Sequence, residues 1–482
     1  MTATEATVHT LAGVRINGEP VQPAQPWRTV VTEPATGQDL AQLIGGGKAE
    51  AMAALDAAAS AERPWAETAV AARAEALRAI AADLRAEPGA EQLAVAISRE
   101  TGKRIAESRA EVGLSAAFFE WFADAIRSRH GQSHSVVPGL RHEVIQRPLG
   151  IVAVLTPWNF PVSIPARKIA PALAAGCPLL FKPSEVAPES ALRLAEIVEA
   201  HVPAGVLNTV VGDPAEVSGS WLDDPRVRGL TFTGSTRVGQ LLAAQTAPNF
   251  TRNVLELGGN APFVVLAEAD LRRAAEVLAI AKFRNNGQSC IAAQQVWVPD
   301  HLVDSYANAF TEVTDELVLG DPLDPSTTLG PLALPSDPGR VAEVAQDAAA
   351  SGATVVTGKV NVPANGYFAA PVLCLQPGAD SRAVTEEIFG PMAVLRGYRD
   401  VDEVITATRT QRYGLGGYVV GDPLRATAVA QALDVGIVGV NNATPNTPLV
   451  PFGGLKHSGL GWEGGQAGLD VFLTQHTTAV GA

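Results

Sequence analysis

Gly150-Ile151-Val152-Ala153-Val154-Leu155-Thr156 is an apolar run closed by a threonine. A strand wet on one face alternates apolar and polar residues, so an uninterrupted run marks a strand covered on both faces, as inside a parallel sheet. The theme returns at Leu179 to Lys182, Asn208 to Val211, Gly229 to Thr233 and Ala261 to Leu266. Helical patterns over 166–176, 188–201 and 236–246 separate these runs. The alternation is the βαβ rhythm of a doubly wound α/β sheet, which places ligands beyond the carboxyl ends of its strands.

Upstream, Asn17-Gly18 supplies the positive φ angles of a tight hairpin over 12–20. Ala-rich helical patterns follow over 48–62, 66–86, 89–101 and 104–128, with apolar residues three and four apart, as in Val70, Ala74, Leu77, Ala81 and Leu84. Residues 132–147 are mixed and β-branched around a Pro-Gly turn at 138–139, and predict an extended ribbon. Downstream, a helix over 270–287, a strand over 294–298 and a helix over 300–316 open a second α/β stretch that alternates to about 440. The tail from Leu469 to Val480 reads as a strand, and its pairing with 132–147 across a subunit boundary would give both ribbons a partner.

The chain has 482 residues, 47% hydrophobic and 18% charged, which predicts a large buried α/β protein of more than one substructure. A net charge of −14 with no basic stripe argues against a nucleic-acid or anionic-membrane partner. The three cysteines, Cys177, Cys290 and Cys374, do not form a disulfide framework and predict a reducing compartment. Met1 to Thr10 carries an acid and no basic region, so it does not read as a signal peptide. Ile169 to Phe181 contains two prolines and falls short of the ~20 residues a membrane span needs. A cytoplasmic protein is expected.

Cys290 ends Asn286-Gly287-Gln288-Ser289-Cys290, directly after a helical stretch, where the glycine lets backbone approach a substrate. A single cysteine is more often a core filler, and that reading holds for Cys177 and Cys374 in their apolar contexts. Glu256, between Leu255 and Leu257 and followed by two glycines, is poorly placed for solvation; burial would raise its pKa towards that of a working base, although a structural ion pair explains it equally well. Asn159, in Thr156-Pro157-Trp158-Asn159-Phe160-Pro161, can donate to a developing oxyanion or simply serve the turn. Lys182, Ser184 and Glu185 follow the next strand and suit a ribose, or a solvated loop. Phe232-Thr233-Gly234-Ser235-Thr236 opens a helix whose free N–H groups can hold phosphate, without the usual glycine-rich dinucleotide fingerprint.

Together these motifs resemble the aldehyde dehydrogenase superfamily over essentially the whole chain: PWNFP at 157–161, FKPSE at 181–185, FTGST at 232–236, LELGGN at 255–260, GQSC at 287–290, EEIFGP at 386–391 and PFGGLKHSGLG at 451–461. The resemblance implies that Cys290 is the nucleophile, with a pKa that the fold lowers or locally relieves. It implies an oxyanion held by Asn159 and the Cys290 N–H, Lys168 supporting the field there, and Glu256 activating the water that hydrolyses a thioester. It further implies NAD as cofactor, with NADP the alternative. Thr156, Trp158, Lys182, Ser184, Glu185, Gly212, Gly234, Ser235, Glu387 and Phe389 would bind it, Glu185 disfavouring a 2′-phosphate. No metal is implied. Relatives that pass the acyl group to coenzyme A or phosphate lack the base glutamate, so hydrolysis to the free acid is expected here.

Arg167 and Arg284 look like the carboxylate-gripping arginines of the succinate-semialdehyde dehydrogenase branch, which implies an ω-carboxy aldehyde as substrate. The chain departs from that branch at Asn446, where it has a serine, and at Gln295 and Trp462, where it has a basic residue. An aromatic or medium-chain aliphatic aldehyde is the alternative. A non-catalytic role is disfavoured by the joint presence of nucleophile, base and oxyanion donor. The implied architecture is a Rossmann-type cofactor domain (1–128 and 149–258), an α/β catalytic domain (259–450) and a small β oligomerisation ribbon (129–148 and 467–482) that makes a homodimer or homotetramer.

Overall fold

The computed structural model describes residues 8–481; Met1 to Thr7, most of the stretch read above as lacking a leader, and Ala482 at the end of the predicted ribbon lie outside the described residues. The run that opened the sequence forms the strand Ile151–Leu155, buried at every position. It sits inside an eight-stranded sheet. On one side lie Leu179–Lys182 and Leu207–Val210; on the other lie Val227–Thr233 and Arg252–Glu256, all parallel. Chain order therefore reverses between Ile151–Leu155 and Val227–Thr233, which opens a crevice at their carboxyl ends. The Asn17-Gly18 hairpin is present, with φ of 57° and 81°, and continues this sheet antiparallel through Val14–Ile16 and Glu19–Pro20.

A second sheet of seven strands follows, and it claims Ala261–Val265, which the sequence pattern groups with the first sheet. The strand between them, Arg252–Glu256, is absent from the sequence reading because its outer half is polar and exposed. So is a third sheet near the amino terminus, of His9–Ala12, Trp27–Glu33 and Gln38–Gly45. Between the two large sheets runs Leu257 to Asn260, and Gly459–Leu460 returns from the far end of the chain to pair antiparallel with Arg252–Glu256. That return ties the last motif to the first sheet: Ser458 Oγ donates to Gly258 O at 2.7 Å and accepts from Gly414 N at 2.9 Å.

The predicted helices form as Lys48–Glu67, Val70–Arg85, Gly89–Thr101 and Ile105–Arg127. Phe118, Phe119 and Phe122 of the last are wholly buried in one core with Leu173 and Ala170 of the helix Ser163–Ala175. Each such ring contributes about 1.5–3 kcal/mol of burial, so the helix that starts beside Asn159 rests on a stiff base. The ribbon Gln132–Val137 and Leu140–Pro148 is a hairpin, and the tail strand Leu473–Gly481 pairs along the whole of its second strand. This corrects one expectation: the tail finds its partner within its own chain, not across a subunit boundary. Among the described residues, no helix is long and apolar enough to cross a membrane.

Candidate active site

The strand Ile151–Leu155 ends in the turn that carries Asn159, and two buried charges hold that turn. Lys103 Nζ donates to Asn159 O at 2.9 Å and to Glu111, and lies 4.0 Å over the Phe160 ring. Glu111 Oε1 accepts from Val162 N and Ser163 N at 3.0 and 3.1 Å, at the start of the helix Ser163–Ala175. Both side chains are almost fully buried, and removing one partner of such a pair costs about 3–5 kcal/mol. No sequence motif pointed to either residue.

Across the crevice, the corner before Cys290 is built from left-handed backbone: φ is 51° at Asn285, 59° at Asn286 and 80° at Gly287. A non-glycine residue pays roughly 1–2 kcal/mol for this, and here side-chain bonds hold it in place. Asn286 Oδ1 accepts from Gly330 N at 2.8 Å while its Nδ2 donates to Gly102 O and Pro331 O. Asn285 Nδ2 donates to Asn159 O and Gln288 O, and Asn159 Nδ2 donates to Gln288 O at 3.0 Å. Gly287 has no room for a side chain: a Cβ would stand 2.2 Å from Gly390 O. The Asn-Asn-Gly run is the sequence signal that could have found this corner.

Cys290 lies where two cavities meet. One is lined by Trp158, Asn159, Ser235, Glu387 and Phe389; the other by Arg167, Glu256, Arg284, Asn446 and Phe452. Cys290 and Thr233 line both. Glu256 ends its strand 2% exposed, with neither carboxylate oxygen hydrogen-bonded within the protein. Burial pushes its carboxyl well above the usual range, Glu463 pushes it further, and Lys168 and Arg167 pull it back. The Cys290 thiol is pushed up to about 12 by burial and by Glu387 and Glu256, against Arg167. Burial first, and then the carboxylates, thus raise the thiol and do not lower it, which leaves local relief by a neighbouring base as the other half of the expectation. Two carboxylates share a cavity with Cys290: Glu387, which accepts from Gly259 N, and Glu256, whose oxygens have no partner among the described residues and are the freer to take the thiol proton.

The model of the aldehyde dehydrogenase family matches residues 21–478. The chain belongs to the aldehyde dehydrogenase family. It is 38% identical to the glutarate-semialdehyde dehydrogenase of Pseudomonas putida and 39% identical to the NADP(+) succinate-semialdehyde dehydrogenase of Escherichia coli, over 95% of both chains in each case. The crystal structure of succinate-semialdehyde dehydrogenase from Burkholderia pseudomallei is similar with a TM-score of 0.94 at 36% identity over 98% of each chain. The enzyme is thus an oxidoreductase that oxidises an aldehyde to the acid with NAD(P), and its fold is the mixed α/β architecture of this family.

The residues of this dehydrogenase fit a dinucleotide on their own evidence of unmet valence. The Thr156 and Thr233 hydroxyls are buried without partners at the ends of adjacent strands. Lys182, 7% exposed, has Glu185 at 3.7 Å as its one carboxylate within 4 Å among the described residues, and burial lowers its pKa against the pull of Glu185 and Asp213. Ser235, which lines the cavity with Trp158 and Glu387, caps the helix Thr236–Thr246 by accepting from Val238 N, and the other N–H groups of the first turn are left without a helical partner. Glu387 accepts from Gly259 N at 3.1 Å, and burial raises its pKa to about 7. Phe389, held at φ 51°, meets Trp158 edge-on at 5.7 Å. Trp158, Gly234, Ser235, Glu387 and Phe389 therefore surround one cavity, whereas Thr156, Lys182, Ser184, Glu185 and Gly212 stand along the neighbouring strand ends. Ser184 Oγ accepts from Val186 N, which a turn explains unaided. Gly212 packs against Gly46, where a Cβ would lie 2.0 Å from the Gly46 oxygen; that contact accounts for its glycine without a ligand.

On the other side, Arg167 lies 4.5 Å over Phe452 and 5.3 Å over Phe118, with Glu463 at 3.8 Å. Arg284 lies 5.4 Å over Phe160 and, among the described residues, has no carboxylate within 4 Å. Lys168 lines neither cavity. It is wholly buried behind the wall, bonded to Glu463 and, at 3.0 Å, to Thr231 Oγ1, so its charge acts through Glu463 and Glu256 and not by touching substrate. Glu463 was missed by the sequence reading, since WEGG carries no pattern of its own. Gln295, singled out as a departure, is outside the chamber: its Nε2 donates to Ala383 O at 2.9 Å in a separate crevice.

Proposed function

We propose that the enzyme oxidises an ω-carboxy aldehyde, with succinic semialdehyde the simplest candidate, to the dicarboxylate through a thioester on Cys290. The observation that carries the substrate class is the pair of arginines in the chamber on the far side of Cys290 from Asn159 and Glu387. Arg284, without a carboxylate partner among the described residues, can take one. The dicarboxylic semialdehydes in the names of the relatives above support the reading.

Glu256 takes the thiol proton, Sγ bonds the carbonyl carbon, and the oxygen becomes an oxyanion held by the second Asn159 Nδ2 hydrogen and the Cys290 N–H. When bound, the nicotinamide supplies the hydride acceptor. Collapse of the tetrahedral adduct leaves the Cys290 thioester. Glu256 gives the thiol proton up to solvent and, ionised again, deprotonates a water that attacks the acyl carbon; the C–S bond breaks, Glu256 returns that second proton to the sulfur, and the acid and the thiol are released. Glu185 beside Lys182 favours a free ribose hydroxyl, and therefore NAD over NADP. The ribbon and tail join subunits into a homodimer or homotetramer in the cytoplasm.

One observation favours a second reading, an aromatic or medium-chain aliphatic aldehyde: Arg167 is already sandwiched by two phenylalanines and faces Glu463. Comparing kcat/KM on 4-oxobutanoate, butanal and benzaldehyde separates the two. The ω-carboxy reading expects 4-oxobutanoate to lead by more than tenfold; equal efficiencies end it.

A further inference from the structure

We infer that the preferred substrate carries a hydroxyl on the carbon next to its distal carboxylate, and that Asn446 recognises it. This rests on the ω-carboxy reading above and narrows it. Asn446 lines both the chamber around Cys290 and the vestibule outside it, and Arg284 and Leu114 are the residues that share this double position. It therefore stands at the carboxylate end of the chamber. Its Oδ1 is buried with no hydrogen-bond partner in the protein. Pro445 and Pro448 flank it and restrict the loop, so the amide has little freedom to seek a partner elsewhere.

A buried acceptor left unpaired is unfavourable, and a ligand that fills it gains accordingly. A carboxylate only accepts, so it cannot satisfy Oδ1, and the guanidinium groups already offer it donors. An amide presents both polarities: Nδ2 can donate to the carboxylate while Oδ1 accepts from a donor one carbon away. A neutral donor enters at lower cost than an ammonium group, because Arg284, which shares this end of the chamber with Asn446, has no carboxylate within 4 Å among the described residues. A hydroxyl fits. The other acceptors lining the chamber, Glu256, Ser289, Thr233 and Ser163, do not reach the vestibule, whereas Asn446 does beside Arg284, so the position that Asn446 selects is the carbon next to the carboxylate.

The experiment measures kcat/KM for butanal, 4-oxobutanoate and each enantiomer of 2-hydroxy-4-oxobutanoate, using the unmodified enzyme, Asn446→Leu and Asn446→Ala. The expected result is one hydroxy enantiomer favoured about tenfold over both 4-oxobutanoate and its mirror image, with both ratios falling towards unity in the two variants. A mere loss of packing would lower all substrates together and leave the enantiomer ratio in place, which would overturn the role of Asn446. If neither hydroxy acid exceeds 4-oxobutanoate while 4-oxobutanoate still exceeds butanal, the hydroxyl inference is wrong and the ω-carboxy reading stands. If 4-oxobutanoate is no better than butanal, the ω-carboxy reading fails and takes the inference with it.

Discussion

The two cavities that meet at Cys290 are built differently. The cofactor-side cavity is walled by turns at the strand ends: Pro157 to Asn159, Thr233 to Ser235 and Leu257 to Gly258, all tied to sheet backbone. The substrate-side cavity is walled by side chains of two helices, Leu114 on one and Ile164 and Arg167 on the other, and by the Asn446 loop. Backbone turns cannot be altered one residue at a time without shifting a strand; side chains on a helix face can. The oxyanion and cofactor ends of the proposed reaction are thus held by backbone on the first side, whereas Glu256, at a strand end, and the exchangeable side chains proposed to choose the aldehyde line the second.

The widest separation between chemistry and substrate choice comes from residue 290 itself. Cys290→Ser is expected to cut turnover about 10⁴-fold on every aldehyde tested, since a serine has neither the nucleophilicity nor the thioester route. Steady-state reduction of NAD by the purified variant checks it, and loss confined to one substrate would break the comparison. Glu256→Gln should cost roughly 10²–10⁴-fold in kcat. The unmodified enzyme should lose kcat as pH falls through the raised Glu256 pKa, because the base must be ionised to act; that acid limb should lie above the ordinary glutamate value of about 4.3. In Glu256→Gln the limb should vanish. A limb that persists unchanged assigns the titration to another group.

On the substrate side the expected effects are smaller and selective. Arg284→Leu removes a charge-assisted contact, a loss of roughly 10- to 150-fold, and it should show as a fall in the ratio of kcat/KM for 4-oxobutanoate to that for butanal. A change that lowers both substrates equally would mean that Arg284 supports Phe160 and the Asn159 turn instead. The chamber would then belong to the chemistry side.

The same division explains what could be read from the sequence. The parallel strands and helices were legible because burial on both faces leaves uninterrupted apolar runs, and the candidates were legible because they sit in short motifs, Glu256 and Asn159 at strand ends and Cys290 at the corner after a helix. Lys103, Glu111 and Glu463 were not. Their partners lie at Asn159, Val162 and Lys168, reached across the fold and not along the chain, and an isolated charge in a helix pattern, like Glu111, or in a short connection, like Lys103 and Glu463, looks like a solvated one. The rise of the thiol pKa was not legible for a related reason: it depends on burial and on Glu387 and Glu256 converging on one sulfur, which no local window contains.

The smallest expected effect lies at the far end of the cofactor side. Glu185 stands 3.7 Å from Lys182, after the strand Leu179–Lys182. A carboxylate there accepts a ribose hydroxyl but repels a 2′-phosphate, whereas Lys182 attracts that phosphate, so the two residues oppose each other over cofactor choice. Like charges about 4 Å apart near a protein surface interact by roughly 1–4 kcal/mol between the bulk-water and surface limits, and Glu185 is only half-buried, which favours the lower figure. Glu185→Ser should therefore raise kcat/KM with NADP about tenfold relative to NAD, measured with one aldehyde at saturation. Because Glu185 lines neither cavity at Cys290, the ranking of aldehydes should stay as it was. An unchanged cofactor ratio would remove Glu185 from the ribose site, and a changed aldehyde ranking would show that the two sides of the sulfur are coupled after all.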